Sequence, residues 1–304
     1  MPVSGNITLC KIMTTRTASA KKLKSNEKWD LILRPQRGWW DLRLGELWRY
    51  RDLVGLFVWR DFVTYYKQTI LGPLWYIIQP ILTTVVFTVI FGNIAKLPTD
   101  GLPAFLFYLS GNTVWTYYST CLVSTSNTFA ANAAIFGKVY FPRMVIPLSI
   151  VISNLISFAI RLGVFLAFLL YFMASGSAIH LTLWVLALPA LLLIMAGMGL
   201  GLGVIISSLT TKYRDLQQLV GFGVQLLMYA TPVIYPLSTV QGALRWVILA
   251  NPMTAVVEVF RLGFLGTSSV DPLSLLYSVG FTLVVMLIGL LIFNRVEATF
   301  MDTV

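Results

Sequence analysis

Charge is scarce in this sequence. Only 11% of its 304 residues are Asp, Glu, Lys or Arg, while 57% are hydrophobic. Soluble domains carry about 25% charged and roughly 45–50% apolar residues. A soluble enzyme built from this composition could not cover its surface, and a disordered chain would be polar and highly charged. Histidine occurs once, at His180, which excludes a histidine metal cluster. The two cysteines, Cys10 and Cys121, make no disulfide framework, because Cys121 falls inside an apolar run. No G-x-x-x-x-G-K-[ST] phosphate loop is present. The nearest Gly-Lys, Gly137-Lys138, is followed by valine and lacks the upstream glycine, so ATP is not bound by that route. Neither H-E-x-x-H nor G-x-S-x-G occurs. The long apolar runs hold almost no acids, whereas proton- or sodium-coupled transporters carry them inside the membrane. Energy for any transport must come from elsewhere.

What the sequence does have is long apolar runs. About 20 apolar residues are needed to cross a ~30 Å hydrocarbon core. Six segments qualify, at roughly 71–93, 103–125, 145–172, 181–207, 217–235 and 273–293. The stretch 236–270 is apolar but broken by Pro236 and Pro252, which predicts short outer helices dipping part-way into the membrane. The expected fold is an all-α polytopic membrane protein: six transmembrane helices, an N-terminal amphipathic interface helix, and short re-entrant outer helices between spans five and six. No short apolar core with a small-residue cleavage site stands near the N-terminus, so the first span is expected to act as an uncleaved signal.

The net charge is +10, and it is unevenly placed. Thirteen of the 22 cations precede residue 70, so the basicity belongs to one end. A uniformly basic surface would suggest nucleic acid; a basic end before apolar spans suggests a cytoplasmic segment. With the N-terminus inside, the inner segments hold 18 cations and the outer ones three. Both termini are therefore expected in the cytoplasm. Residues 1–41 read as a basic extension, 42–69 as an interface helix and 70–304 as the transmembrane domain. In the interface helix, Arg60, Thr64 and Lys67 form a narrow charged seam beside a wide apolar face, as in helices that lie in the membrane plane.

Two inner loops are distinctive. In the first, Lys138 and Arg143 bracket an aromatic knob, Tyr140-Phe141, and Pro142 breaks any continuous helix. The second is Tyr213-Arg214-Asp215. Such loops suit docking onto a soluble partner; cationic stop-transfer anchoring accounts for them equally. The second span is rich in hydroxyls and aromatics, including Tyr108, Asn112, Trp115, Tyr117 and Tyr118. Aromatic rings stack on sugar faces while polar groups bond the hydroxyls, so this span is a candidate conduit lining together with the first span, including Trp75, and the interior part of the fifth. The same residues also fit helix–helix packing. Arg161 is the one cation within a predicted span, and Glu258 or carbonyls of the re-entrant stretch are its candidate partners. Glu258 can instead pair with Arg261, three residues on. Gly197, Gly199, Gly201 and Gly203 alternate within the fourth span and are expected to allow close helix approach.

The ordered motifs Trp59-Arg60-Asp61, Tyr66-Lys67-Gln68-Thr69, Leu71-Gly72-Pro73-Leu74-Trp75, Gln79-Pro80, Lys138 to Arg143 (KVYFPR), Tyr213-Arg214-Asp215, Thr231 to Pro236 (TPVIYP) and Asn251-Pro252-Met253 carry a resemblance. From about residue 45 to the C-terminus the chain resembles type-2 ABC exporter permeases, in the branch exporting O-antigen, teichoic acid and capsule-like polysaccharides. The resemblance implies a homodimer of six-span subunits in a bacterial inner membrane, with two copies of a soluble P-loop ATPase beneath. ATP and Mg would sit on that partner, with no cofactor or metal in this chain. It implies coupling through Phe136, Lys138, Tyr140, Phe141, Pro142, Arg143, Tyr213, Arg214 and Asp215. It also implies an outer gate, matched by Pro232, Tyr235, Asn251, Pro252, Glu258 and Arg261. The expected cargo is a lipid-linked polysaccharide, and Arg49, Arg51, Arg60 and Lys67 on the interface helix are candidates to hold its phosphate. The alternatives are a permease for drugs or small lipids, a membrane glycosyltransferase or ligase, and a passive channel.

Overall fold

The computed structural model describes residues 44–67, 71–136, 138–139, 141–177, 179–210, 213, 215–267 and 271–303. The basic extension expected over 1–41 lies outside the described residues, as do Tyr140 and Arg214.

The described chain is helical throughout. Helices α1 (Leu44–Arg49) and α2 (Arg51–Lys67) precede α3 (Trp75–Phe87), which continues as a π-helical turn over Thr88–Ile94. Then come α4 (Ala104–Ser126), α5 (Thr128–Phe136), α6 (Val145–Ala174), α7 (Leu188–Thr210) and α8 (Leu216–Tyr229). Helices α9 (Ala243–Leu249), α10 (Pro252–Leu265) and α11 (Pro272–Thr303) complete the chain.

Four helical segments are long and apolar enough to cross a membrane: 75–94, 145–174, 183–210 and 272–296. Helices α9 and α10 together could form a fifth, but they bend by 84° at their junction. Pro252 opens α10, and Asn251 caps it by accepting from the Met253 amide at 3.0 Å. A cap and a helix-opening proline at the same point start a new helix direction, in the stretch where the sequence predicts short helices broken at Pro252.

The two other expected spans differ from their neighbours for physical reasons. Helix α4 has the length, 23 residues, but its hydroxyls and Asn112 lower its hydropathy. Most of α4 is buried inside the chain, against α3, α6, α7 and α10. A helix sheathed by protein meets little lipid and need not be apolar. Its hydroxyls also satisfy themselves locally: Thr113 donates to the Leu109 carbonyl and Thr116 to the Asn112 carbonyl, both at 2.7 Å. Helix α8 is short. Its 14 residues rise about 21 Å at 1.5 Å each, below the ~30 Å core.

The glycines of α7 work as two back-to-back stripes. A Cβ on Gly199 would lie 2.8 Å from Cys121 Cβ, and one on Gly203 would lie 2.6 Å from Thr125 Cβ, so this stripe admits α4. On the opposite stripe, a Cβ on Gly197 would meet Thr282 at 2.7 Å and one on Gly201 would meet Met286 backbone at 3.0 Å. That stripe admits α11. Spacing of four puts each pair on one face, and the close approach expected from the sequence is what the helices adopt.

Candidate functional site

One cluster sits at the end of the bundle where α5 runs into α6. The Phe136 and Phe141 rings are 5.8 Å apart and both are buried. Phe141 also faces Phe57 of α2 at 5.9 Å, and Phe136 faces Phe129 at 5.9 Å. Phe129 stacks on Phe293 of α11 at 4.9 Å. Arg143 is buried, with its guanidinium 5.5 Å from the centre of the Phe136 ring. A chain of rings therefore runs from α2 through the connector to α11.

This arrangement corrects the reading of Phe141 as half of a protruding knob. Pro142 follows it directly, and the chain turns there so that the ring points inward to Phe57 and Phe136. Burying a phenylalanine beside two others outweighs displaying it to water. Among the described residues of the connector, Lys138 and Val139 are exposed, the latter by 59%. Tyr213 and Asp215 of the second loop are exposed at the same end.

Helix α2 lies against α6 through Val54 and Phe57. Asp61 bridges Arg60 at 2.7 Å and accepts from Ser153 of α6 at 3.5 Å. The Arg60 guanidinium also sits 4.7 Å from the Phe57 ring centre. Arg49, Arg51 and Lys67 are exposed, with Arg51 3.8 Å from Asp52. Trp48, Leu56 and Trp59 are exposed as well, Trp59 by 67%. Exposed tryptophans among arginines fit the headgroup layer.

The opposite end is organised by Arg261 on α10, which is only 3% exposed. Its Nη1 donates to the Pro232 carbonyl at 2.5 Å and its Nη2 to the Val233 carbonyl at 2.9 Å. Its Nε donates to Ser110 Oγ of α4 at 3.4 Å. Glu258 lies 3.5 Å away, and the Phe107 ring centre 3.7 Å from the guanidinium carbon. Glu258 pairs with Arg261, and Arg161 of α6 is buried as well. Asn251 adds a second tie: its amide donates to the Ala230 carbonyl at 3.2 Å and to Thr231 Oγ1 at 2.7 Å. Pro232 is buried beneath this lattice, Pro252 and Tyr235 are half-buried, and the Tyr235 hydroxyl donates to the Tyr229 carbonyl at 2.9 Å. The six residues expected at an outer gate thus belong to one connected region.

The aromatic residues of α4 are placed differently. Tyr108, Trp115, Tyr117 and Tyr118 are buried, packed on Phe87, Phe107 and Phe158 among others, and Asn112 is buried with them. Trp75, by contrast, is exposed. Helix α8 lies in the fifth expected span, part of which the sequence reading assigns to the conduit without naming residues. Gln218, Phe222, Gln225 and Tyr229 are all exposed, and spacings of four, seven and eleven put them on one helical face. That alternation of amide and ring was visible in the sequence as a stripe at helical period.

Among the described residues no cluster of His, Cys, Asp and Glu could hold a metal. The described residues form two tied ends of a helix bundle with uncovered faces between them.

Comparison with known proteins agrees with this architecture. The profile described as ABC-2 type transporter matches residues 52–265. The chain is 30% identical over 252 residues to an O-antigen export system permease protein RfbA of Klebsiella pneumoniae, covering 83% of this chain and 94% of that one. An RfbA of Myxococcus xanthus is 32% identical over 221 residues, 72% of this chain and 82% of that one. The polysialic acid transport protein KpsM of Escherichia coli is 26% identical over 242 residues, 78% and 91% of the two chains. A match that runs from α2 to the end of α10 takes in both tied ends, and the chain belongs to the ABC-2 type transporter family as a multi-pass membrane permease, a transport protein rather than an enzyme.

Proposed function

We propose that this chain is the membrane-spanning subunit of an ATP-driven exporter that moves lipid-linked, O-antigen-like polysaccharide from the cytoplasmic to the outer side of a bacterial inner membrane. The observation that carries this reading is the similarity to an O-antigen export permease along 252 residues. The proposed topology has six spans: α3 with its continuation, α4, α6, α7, α8 with the residues flanking it, and α11. Helices α9 and α10 form the re-entrant pair. Residues 1–41 are the basic extension, 42–69 the interface helix and 70–304 the transmembrane domain. Both termini are cytoplasmic, in keeping with the charge bias.

The working unit is a homodimer with two P-loop ATPase subunits, which hold the ATP and Mg. The exposed residues Lys138, Val139, Tyr213 and Asp215 face those subunits, joined by Tyr140 and Arg214. Closure of the ATPases pushes on the connector. The push passes through Phe141 to Phe57 on α2, and through Phe136 and Phe129 to α11. The glycan's pyrophosphate is held at the interface helix by Arg49, Arg51, Arg60 and Lys67. Its sugars pass between two copies of the chain along Gln218, Phe222, Gln225 and Tyr229, with Trp75 nearby, while Tyr108, Asn112, Trp115, Tyr117 and Tyr118 support the wall from within α4. Rings take the apolar sugar faces and amides take the hydroxyls. The Arg261 lattice anchors the outer gate.

The test is a mild-detergent purification of the tagged full-length chain from its own host, with partners identified by mass spectrometry. Recovery of a P-loop ATPase in equal amount is expected. Failure to recover one, under conditions that preserve other membrane complexes, would overturn the coupling assignment.

A further inference from the structure

Beside the Arg261 lattice, on the other side of Glu258, a cavity of about 470 Å³ opens between α9, α10 and the first turns of α11. Small-molecule sites run from about 300 to 1,000 Å³, so this one has room for a headgroup and the carbons next to it. The helices around the cavity are tied together: the Tyr277 hydroxyl of α11 donates to the Ala250 carbonyl at 2.9 Å, and Ser278 donates to the Pro252 carbonyl at 2.7 Å. Asp271 is fixed too, since its Oδ1 caps α11 by accepting from the Leu273 amide at 3.1 Å.

The lining has two characters. Leu249, Leu273 and Trp246 supply apolar wall, and Trp246 is 75% exposed at the mouth. Arg245 and Asp271 supply one exposed charge of each sign, and Glu258, buried in the wall, has its charge met by Arg261 at 3.5 Å. Below the mouth the apolar surface continues along α11 through the exposed Leu276 and Leu283. An exposed leucine face on a helix apolar enough to span meets acyl chains, and tryptophan at its end marks the headgroup level. A guanidinium suits a phosphate and a carboxylate suits an ammonium. An anionic headgroup would leave Asp271 opposed by like charge, and a neutral sugar would find mostly apolar wall where its hydroxyls need partners.

We propose that this cavity binds a zwitterionic phospholipid headgroup, with its phosphate at Arg245, its ammonium at Asp271 and its first acyl carbons against Leu249 and Leu273. The assignment concerns a resident membrane lipid and does not depend on the cargo proposed above.

Purified full-length chain, titrated with phosphatidylethanolamine or phosphatidylglycerol and read by native mass spectrometry, tests it. Asp271→Asn is isosteric and Arg245→Gln shortens an exposed side chain, so elution volume and melting temperature should stay unchanged. The wild type should retain phosphatidylethanolamine in preference to phosphatidylglycerol, and each variant should lose about tenfold in its apparent affinity, the equivalent of 1.4 kcal/mol. Trp246→Ala should weaken both lipids together. Equal retention of the two lipids by the wild type would overturn the proposal. So would variants that bind phosphatidylethanolamine as the wild type does, or displacement of the lipid by a soluble oligosaccharide at the same residues, which would make the cavity a sugar site.

Discussion

The Phe141 ring stands 5.9 Å from the Phe57 ring, and this contact joins the α5–α6 connector to helix α2. Truncating a buried phenylalanine costs about 3–5 kcal/mol in a packed core. Phe141→Ala should therefore loosen the connector while leaving the exposed Lys138 and Val139 free to dock. The expected outcome is a complex that still assembles and hydrolyses ATP but delivers less glycan to the surface; Phe141→Leu should recover much of the loss. Surface glycan at the wild-type level in the alanine variant would remove Phe141 from the transmission path.

Arg261 is held by two carbonyls, a hydroxyl, a carboxylate and a ring at once. Removing one partner of a buried ion pair costs about 3–5 kcal/mol, because the other charge is left buried. Arg261→Met should lower the melting temperature of the purified chain sharply, and the double variant with Glu258→Gln should recover part of it. Gly111→Ala should also destabilise, since the added Cβ would lie 2.9 Å from Arg261 Nη2 and 3.0 Å from the Val233 oxygen. Unchanged melting in all three would show that the lattice contributes little.

The sequence makes part of this region legible and hides the rest. The spacing of Glu258 and Arg261 signals their pairing, and the Asn-Pro at 251–252 signals the bend. The carbonyl partners of Arg261 lie 28 and 29 residues away, and no local pattern encodes a contact at that range. Long apolar runs reveal 75–94, 145–174, 183–210 and 272–296 directly. Helix α4 shows its length but conceals its burial, because a helix wrapped in protein can be polar. Phe141 could not be oriented from sequence: a ring beside a proline in a connector has no period to read. The α8 face was readable as a period, but its 14-residue helix falls short of a full crossing, and the helix is exposed on other faces as well.

The α8 face makes its own prediction. Phe222→Ala removes a stacking surface, and Gln225→Leu removes an amide without changing the helix. Neither side chain is buried in the single chain, so protein level and melting should be unaffected. Glycan export should fall in each, with ATP hydrolysis retained, as measured by surface glycan and phosphate release on the same membranes. Normal export in both variants would take the glycan path away from α8.

Charge reversal on helix α2 separates binding from assembly. Arg60→Glu and Lys67→Glu exchange attraction for repulsion toward an anionic headgroup, at about 1 kcal/mol per charge near the surface. Export should drop while the complex with the ATPase is recovered in normal amount. Arg60→Glu should have the larger effect, because Asp61, 2.7 Å away, loses its partner as well. Normal glycan export in both would end the phosphate-holding role.

The most direct test of the central claim is the fate of the glycan in the host when this chain is deleted. The account predicts that surface polysaccharide disappears, that lipid-linked glycan accumulates on the cytoplasmic side, and that the chain supplied in trans restores export. Unchanged surface polysaccharide in the deletion strain, with the lipid-linked precursor at its normal level, would contradict it.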